Sequence, residues 1–151
     1  MPFNKAREMM EEALVLARAA AEAGEVPVGA IVVKDGKIIG RGANRPIGSH
    51  DPTAHAEIIA MREAAAFLGN DRLIGCDLWV TLEPCAMCAG AIAHARIRRL
   101  YYGADDPKGG AVVHGPRLFE QPTVHHRPEV YAGIAADETS ELLRAFFAQL
   151  R

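Results

Sequence analysis

Thr81-Leu-Glu-Pro-Cys-Ala-Met-Cys88, read together with Thr53-Ala-His-Ala-Glu57 upstream, decides how the rest of the chain is organised. Cys85 and Cys88 are three apart, so on a helix both sulfurs point to one side. Pro84 precedes them, and proline suits a first helical position because its missing N–H costs nothing there. The spacing predicts a helix through Ala86 to Ala95 with both cysteines in its first turn. Free N–H groups and the positive end of the helix dipole favour thiolate at that place. Asp51-Pro52 reads as a second helix start, with Asp51 as the cap and Pro52 in the first turn. His55 and Glu57 follow. Residues two apart do not share a face of an ideal helix, so this pair suits a helix mouth, both side chains reaching one cavity.

One imidazole and two thiolates make three protein ligands. A structural zinc is normally closed by a fourth, whereas a catalytic zinc keeps that position for water. Cys76 is the only other cysteine, and no fourth ligand is evident. Zinc lowers the pKa of a bound water from about 15.7 to about 7. Glu57 is the group that could take that proton and hand it on. Taken singly, C-x-x-C also suits a redox pair or half a structural zinc site, and H-x-E carries little. Their order, each after a proline-marked helix start, favours the catalytic reading.

The 151 residues suit one domain spanning 1–151, long enough to bury a core. Half the residues are apolar and 24% are charged, as in ordinary globular proteins. With two of three cysteines assigned to metal, a reducing compartment fits better than a disulfide framework. Lys5 to Glu12 is highly charged and no apolar signal region follows. No run approaches the roughly 18 apolar residues of a membrane span, so no membrane is expected and a cytoplasmic site is. The net charge of −2 argues weakly against a nucleic-acid partner. Its distribution qualifies that: Arg96, Arg98, Arg99, Lys108, Arg117 and Arg127 collect late, with Tyr101 and Tyr102 between them. Such a mixture suits phosphate contact and base stacking, and equally a solvated edge.

Asn4 to Ala23 carries a helical apolar stripe that ends at Gly24. Val28–Val33 and Lys37–Arg41 flank Lys34-Asp-Gly36, a hairpin signal. A helix over Pro52–Leu68, a strand over Leu78–Leu82, the cysteine helix, and a strand over Ile97–Tyr102 follow. Residues 104–128 read as irregular, and Asp137–Gln149 as a final helix. Strand–helix–strand over 78–102 implies a parallel crossover beside the antiparallel hairpin. The expected class is therefore α/β: a mixed sheet with helices on both faces.

H-x-E followed by P-C-x-x-C is the signature of zinc nucleobase deaminases, with the glutamate as a non-ligand acid/base. Asn44-Arg-Pro46, Asp51 to Glu57, Leu82 to Ala91 and Gly103-Ala-Asp-Asp-Pro-Lys-Gly-Gly-Ala111 resemble the bacterial tRNA-specific adenosine deaminases over nearly the whole chain. The resemblance implies a three-layer α/β/α cytidine-deaminase-like fold with about five strands. It also implies one Zn2+ per subunit on His55, Cys85 and Cys88, with Glu57 carrying protons. The implied reaction is hydrolytic deamination of adenosine to inosine at the wobble position of a tRNA anticodon, with release of ammonia. The implied partners are the anticodon stem-loop of an arginine tRNA with anticodon ACG and a second copy of the chain. The unusually small-sided cysteine helix suits close approach inside the domain or across a twofold axis.

Substrate contacts implied by the resemblance are Asn44, Val28, Ala56, Glu83, Asp106, Lys108, His125, Phe147 and Arg151. Several have plainer readings. Asn44 before Arg-Pro is a good turn residue, Val28 fits a core strand, Asp106 and Lys108 fit loop charges, and Phe147 fits the core. Glu83 is expected to matter through its backbone more than its carboxylate. Relatives often carry asparagine where His125 stands, and their C-terminal tails are richer in arginine. His50, His94, His114 and Cys76 read as structural. Two other functions remain open: deamination of a free base or nucleoside (guanine, cytosine or cytidine), and a zinc-stabilised RNA-binding module without catalysis. The free carboxylate of Glu57 argues against the second.

Overall fold

Alternation with period two sends the inner strands' side chains into two different cores, and this sets the layers. The computed structural model describes residues 3–150. Its elements are α1 (Phe3–Glu22), β1 (Gly29–Lys34), β2 (Lys37–Ala43), α2 (Pro46–Ser49), α3 (Ala56–Leu68) and β3 (Asp77–Leu82), followed by α4 (Ala86–Ala95), β4 (Arg99–Ala104), β5 (Glu129–Tyr131) and α5 (Ala136–Gln149). Ala30 and Val32 of β1, Leu78 and Val80 of β3, and Leu100 and Tyr102 of β4 pack under α3 and α4. The intervening Ile31, Val33, Trp79 and Tyr101 pack under α1. α5 lies against β4 and touches α1, which completes a three-layer α/β/α arrangement.

The sheet order is β2-β1-β3-β4-β5. β1 pairs antiparallel with both β2 and β3, while β3–β4 and β4–β5 are parallel. The mixed sheet expected from the sequence is thus present, with its parallel half at β3–α4–β4. β5 has no sequence signature: its three residues are all exposed, so no apolar alternation marks it. β4 begins at Arg99 rather than Ile97, because Ile97 is still tied to the end of α4 through Ile92. Among the described residues, no helix is long and apolar enough to cross a membrane.

α3 lies on β2 with almost no space between backbones. A Cβ added at Gly42 would stand 2.1 Å from the Ala56 carbonyl oxygen, and one at Gly40 2.2 Å from that of Ala60. These glycines let the helix that carries His55 and Glu57 settle flush on the sheet. Gly42→Ala is expected to lower stability by about 1–3 kcal/mol, as overpacking does. Urea denaturation checks this, and an unchanged midpoint would contradict the close approach.

Candidate metal centre and reaction cavity

α3 and α4 begin at the same place. His55 is the N-cap of α3, with φ −77° and ψ 152°. Cys85 is the N-cap of α4, with φ −75° and ψ 177°. Both starts lie one step or more beyond where the prolines suggested. Asp51 does not cap α3: its carboxylate accepts from the N–H and hydroxyl of Thr53, at 2.9 and 2.7 Å. That closed Asx turn uses up the capping group locally and keeps residues 52–55 out of the helix. Pro84 likewise precedes the cap. An N-cap residue has extended backbone, so its side chain projects past the helix end. Cys88, third in α4, curls back to meet Cys85.

His55 Nδ1 lies 3.6 Å from Cys85 Sγ and 3.5 Å from Cys88 Sγ. These three donor atoms all fall within 4.8 Å of one another, and together they could hold a metal ion. The Cys85 thiol is brought down to about 5, first by the hydrogen bond from the Cys88 thiol; burial opposes this, and the Cys88 and Met87 N–H groups and the His55 ring assist. Cys88 keeps the shared proton, and burial pushes it further up. Glu57, second in α3, is 4% exposed. Burial pushes its carboxyl up to about 7; its own backbone N–H opposes this and the Cys85 thiolate adds to it. A carboxyl poised there can both give and accept a proton near neutral pH.

A cavity of about 310 Å³ is lined by Val28, Asn44, His55, Glu57, Cys85 and Asp106, with Glu83 and Gly109 behind. It adjoins a groove of about 860 Å³ lined by Lys108, Arg144, Phe147 and Leu150. Val26, Leu82 and Asp106 line both. The Asn44 amide is held at the cavity wall by donating to the Val26 carbonyl at 3.2 Å. Ala56 is fully buried in the core and lines neither space. Phe146 is buried while Phe147 is 43% exposed and faces the groove. His125 lines neither space; its ring lies 5.3 Å from that of His94. Arg151 lies outside the described residues.

Some functional geometry was not read from the sequence. The Glu83 carboxylate is a hydrogen-bonded hub rather than a bystander. Burial alone would raise its pKa, but the Asp106 N–H, the His114 ring and the Val113 and Val112 N–H groups hold it below the usual range. Arg144 was missed, although it stands one helical turn before Phe147 and Ala148. The late arginines are spent internally. Arg98 grips Asp77 at 3.1 Å through both of its contacts, Arg99 joins Asp77 and Glu129, and Arg127 caps the carbonyls of Phe119 and Gln121. Tyr101 stacks between Trp79 and Tyr131, so it offers no free face to a base.

A MafB19-like deaminase family model matches residues 4–151. A tRNA-specific adenosine deaminase of Agrobacterium fabrum is 60% identical over 142 residues, which is 94% of this chain and 93% of that one. The chain belongs to the tRNA-specific adenosine deaminase family. A solved structure from studies of A-to-I editing by tRNA:A34 deaminases at the wobble position superposes with a TM-score of 0.89 at 60% identity, covering 90% of this chain and 99% of the other. A guanine deaminase from Nitrosomonas europaea superposes at 0.77 with 27% identity, covering 94% of this chain and 84% of the other. As a deaminase the chain is a hydrolase: water replaces an amino group. In this deaminase, Cys88→Ser is expected to cut metal content from about one per chain to a small fraction, since one of three donors is weakened. Mass-spectrometric metal analysis reads it; undiminished content would mean the donors are misassigned.

Proposed function

We propose that this chain hydrolyses adenosine to inosine at the wobble position of a tRNA anticodon, releasing ammonia. The observation that carries the reading is continuity: the cavity holding the metal donors and Glu57 shares Val26, Leu82 and Asp106 with the groove of Lys108, Arg144 and Phe147. A free base fills a small cavity and has no use for an open, aromatic groove of mixed charge beside it, where Lys108 and Arg144 stand with Asp105 and Asp106. A polynucleotide with one splayed base uses both. The 60% identity to a tRNA-specific relative, against 27% to a guanine deaminase, supports the same choice.

The resident metal in this reading is zinc, held by His55, Cys85 and Cys88. In a tetrahedral site with Zn–S about 2.3 Å and Zn–N about 2.05 Å, nitrogen and sulfur stand about 3.6 Å apart. The observed separations of 3.6 and 3.5 Å match that edge. When bound, zinc supplies Lewis acidity, lowering the pKa of a water to about 7. Glu57 would take one proton from the attacking water and deliver it to a ring nitrogen of adenine as the C6–O bond forms, then carry that water's second proton to the amino group as the C6–N bond breaks and ammonia leaves. Asn44 orients the purine edge and Val28 walls the pocket, while a contact from Ala56 rests on the resemblance alone. Asp106, Lys108 and Phe147 meet the neighbouring nucleotides. Glu83 acts on them indirectly, through the segment its carboxylate holds. By resemblance, His125 and Arg151 add RNA contacts, the substrate is an arginine tRNA with anticodon ACG, and the enzyme works as a cytoplasmic homodimer. The open, small-sided surface of α4 at Gly90 suits such a twofold contact.

Two expectations test this. Purified protein given an anticodon stem-loop with adenosine at the wobble position should yield inosine by mass spectrometry of the digest, and none from free adenosine. Ammonia from free guanine or cytidine, with no inosine in the stem-loop, would overturn the substrate. Glu57→Gln should keep its metal yet lose about 10²–10⁴-fold in turnover, the usual worth of a general acid–base; near-normal turnover would remove Glu57 from its role.

A further inference from the structure

The segment 105–114, which has no helix or strand to shape it, contributes to the walls of both cavity and groove. It carries Asp106 and Gly109 of the cavity and Asp105, Asp106 and Lys108 of the groove. Beneath it stands Glu83, its side chain 0% exposed. One carboxylate oxygen accepts from the Asp106 N–H at 2.9 Å and from His114 Nδ1 at 2.8 Å. The other accepts from the N–H groups of Val112, Val113 and His114, at 3.1, 3.0 and 3.2 Å. Both ends of the segment are thus fastened to one buried side chain. Gly110 passes so close that a Cβ there would lie 2.4 Å from Glu83 Cδ. The Ala111 N–H also donates to the Pro84 carbonyl at 2.9 Å.

We propose that Glu83 is a positioning residue for the reaction, fixing the nucleotide-contacting wall relative to the metal donor Cys85, with His114 as the adjustable member of the clamp. This rests on the tRNA deamination reading above. The route is short and stiff: Glu83, Pro84 and Cys85 are consecutive, so the group that shapes the wall and the group that holds the metal share a backbone. Neither Glu83 nor His114 needs to touch the reacting atoms. Four of the five donors are backbone N–H groups, which side-chain substitution leaves in place. The His114 ring is the only side-chain donor, and at 32% exposure it sits at the open edge of the clamp. It is therefore where wall position can be altered without emptying the metal site.

The experiment compares wild type, His114→Ala, His114→Asn and Glu83→Gln. It reads metal content, steady-state kinetics on the anticodon stem-loop, and amide hydrogen exchange without substrate. His114→Ala should raise KM about three- to tenfold with kcat within about twofold, the loss of one hydrogen bond to a charged group. His114→Asn restores a side-chain N–H and should return KM toward wild type. Glu83→Gln should lower kcat/KM at least about tenfold at full metal content, and speed exchange over 106–114 but not in α3 or α4. A His114→Ala enzyme that loses only thermal stability, or an Asn variant that rescues nothing, overturns the proposal. So does unchanged exchange over 106–114 in Glu83→Gln. If Glu83→Gln does not fold, the two His114 variants decide alone. Wild type without inosine would defeat the functional reading, whereas the exchange data read the clamp independently.

Discussion

Two helix N-termini aimed at one point form the constraint on which everything else in this fold depends. Each brings unpaired N–H groups and a positive dipole end, and bringing two such ends together is unfavourable unless anionic or electron-rich groups fill the space. His55 and Cys85 occupy the cap positions, and Cys88 and Glu57 the first turns. The Cys88 thiol, helped by the N–H groups of Cys88 and Met87 at the start of α4, holds the Cys85 thiol low, while burial at the same mouth pushes the Glu57 carboxyl up. The sheet supplies the alignment. α4 follows directly from β3 through Glu83-Pro84, and α3 is seated on β2 by Gly40 and Gly42. Without those glycines the helix would lift, and His55 would leave the sulfurs.

The charge distribution divides along the same lines. Cations that look free in the sequence are consumed at the far end of the parallel strands, where Asp77 collects Arg98 and Arg99. What remains beside the cavity is a smaller set, Lys108 and Arg144, next to the exposed ring of Phe147. Asp105 and Asp106 line the same groove, so charge there is balanced and attraction to phosphate alone does not define the site. Specificity falls to cavity shape and a few polar contacts rather than to a broad basic face.

Much of this was legible in the sequence, for identifiable reasons. His55, Glu57, Cys85 and Cys88 announce themselves because metal and proton chemistry tolerate few residue types. The strands read over 28–33 and 78–82, each within one residue of β1 and β3, were legible because both their faces are apolar. What stayed hidden depends on tertiary contact. β5 has no apolar face, so only its pairing with β4 defines it. The true start of α3 was masked by Asp51, whose side chain caps its own turn instead. Glu83 looked like a passive neighbour of the cysteines because its partners lie 23 to 31 residues ahead. Arg98 and Arg99 looked free because the Asp77 that binds both is distant in sequence.

X-ray absorption spectroscopy at the zinc edge of the metal-loaded protein tests the central geometry most directly. The account predicts a mixed shell: two sulfurs at about 2.3 Å and one imidazole nitrogen at about 2.0–2.1 Å, with one further light atom completing four. It also predicts that the sulfur count drops to one in Cys85→Ala. A shell of three or four sulfurs, or one without imidazole scattering, would contradict the convergence of the two helices on a His55, Cys85 and Cys88 centre.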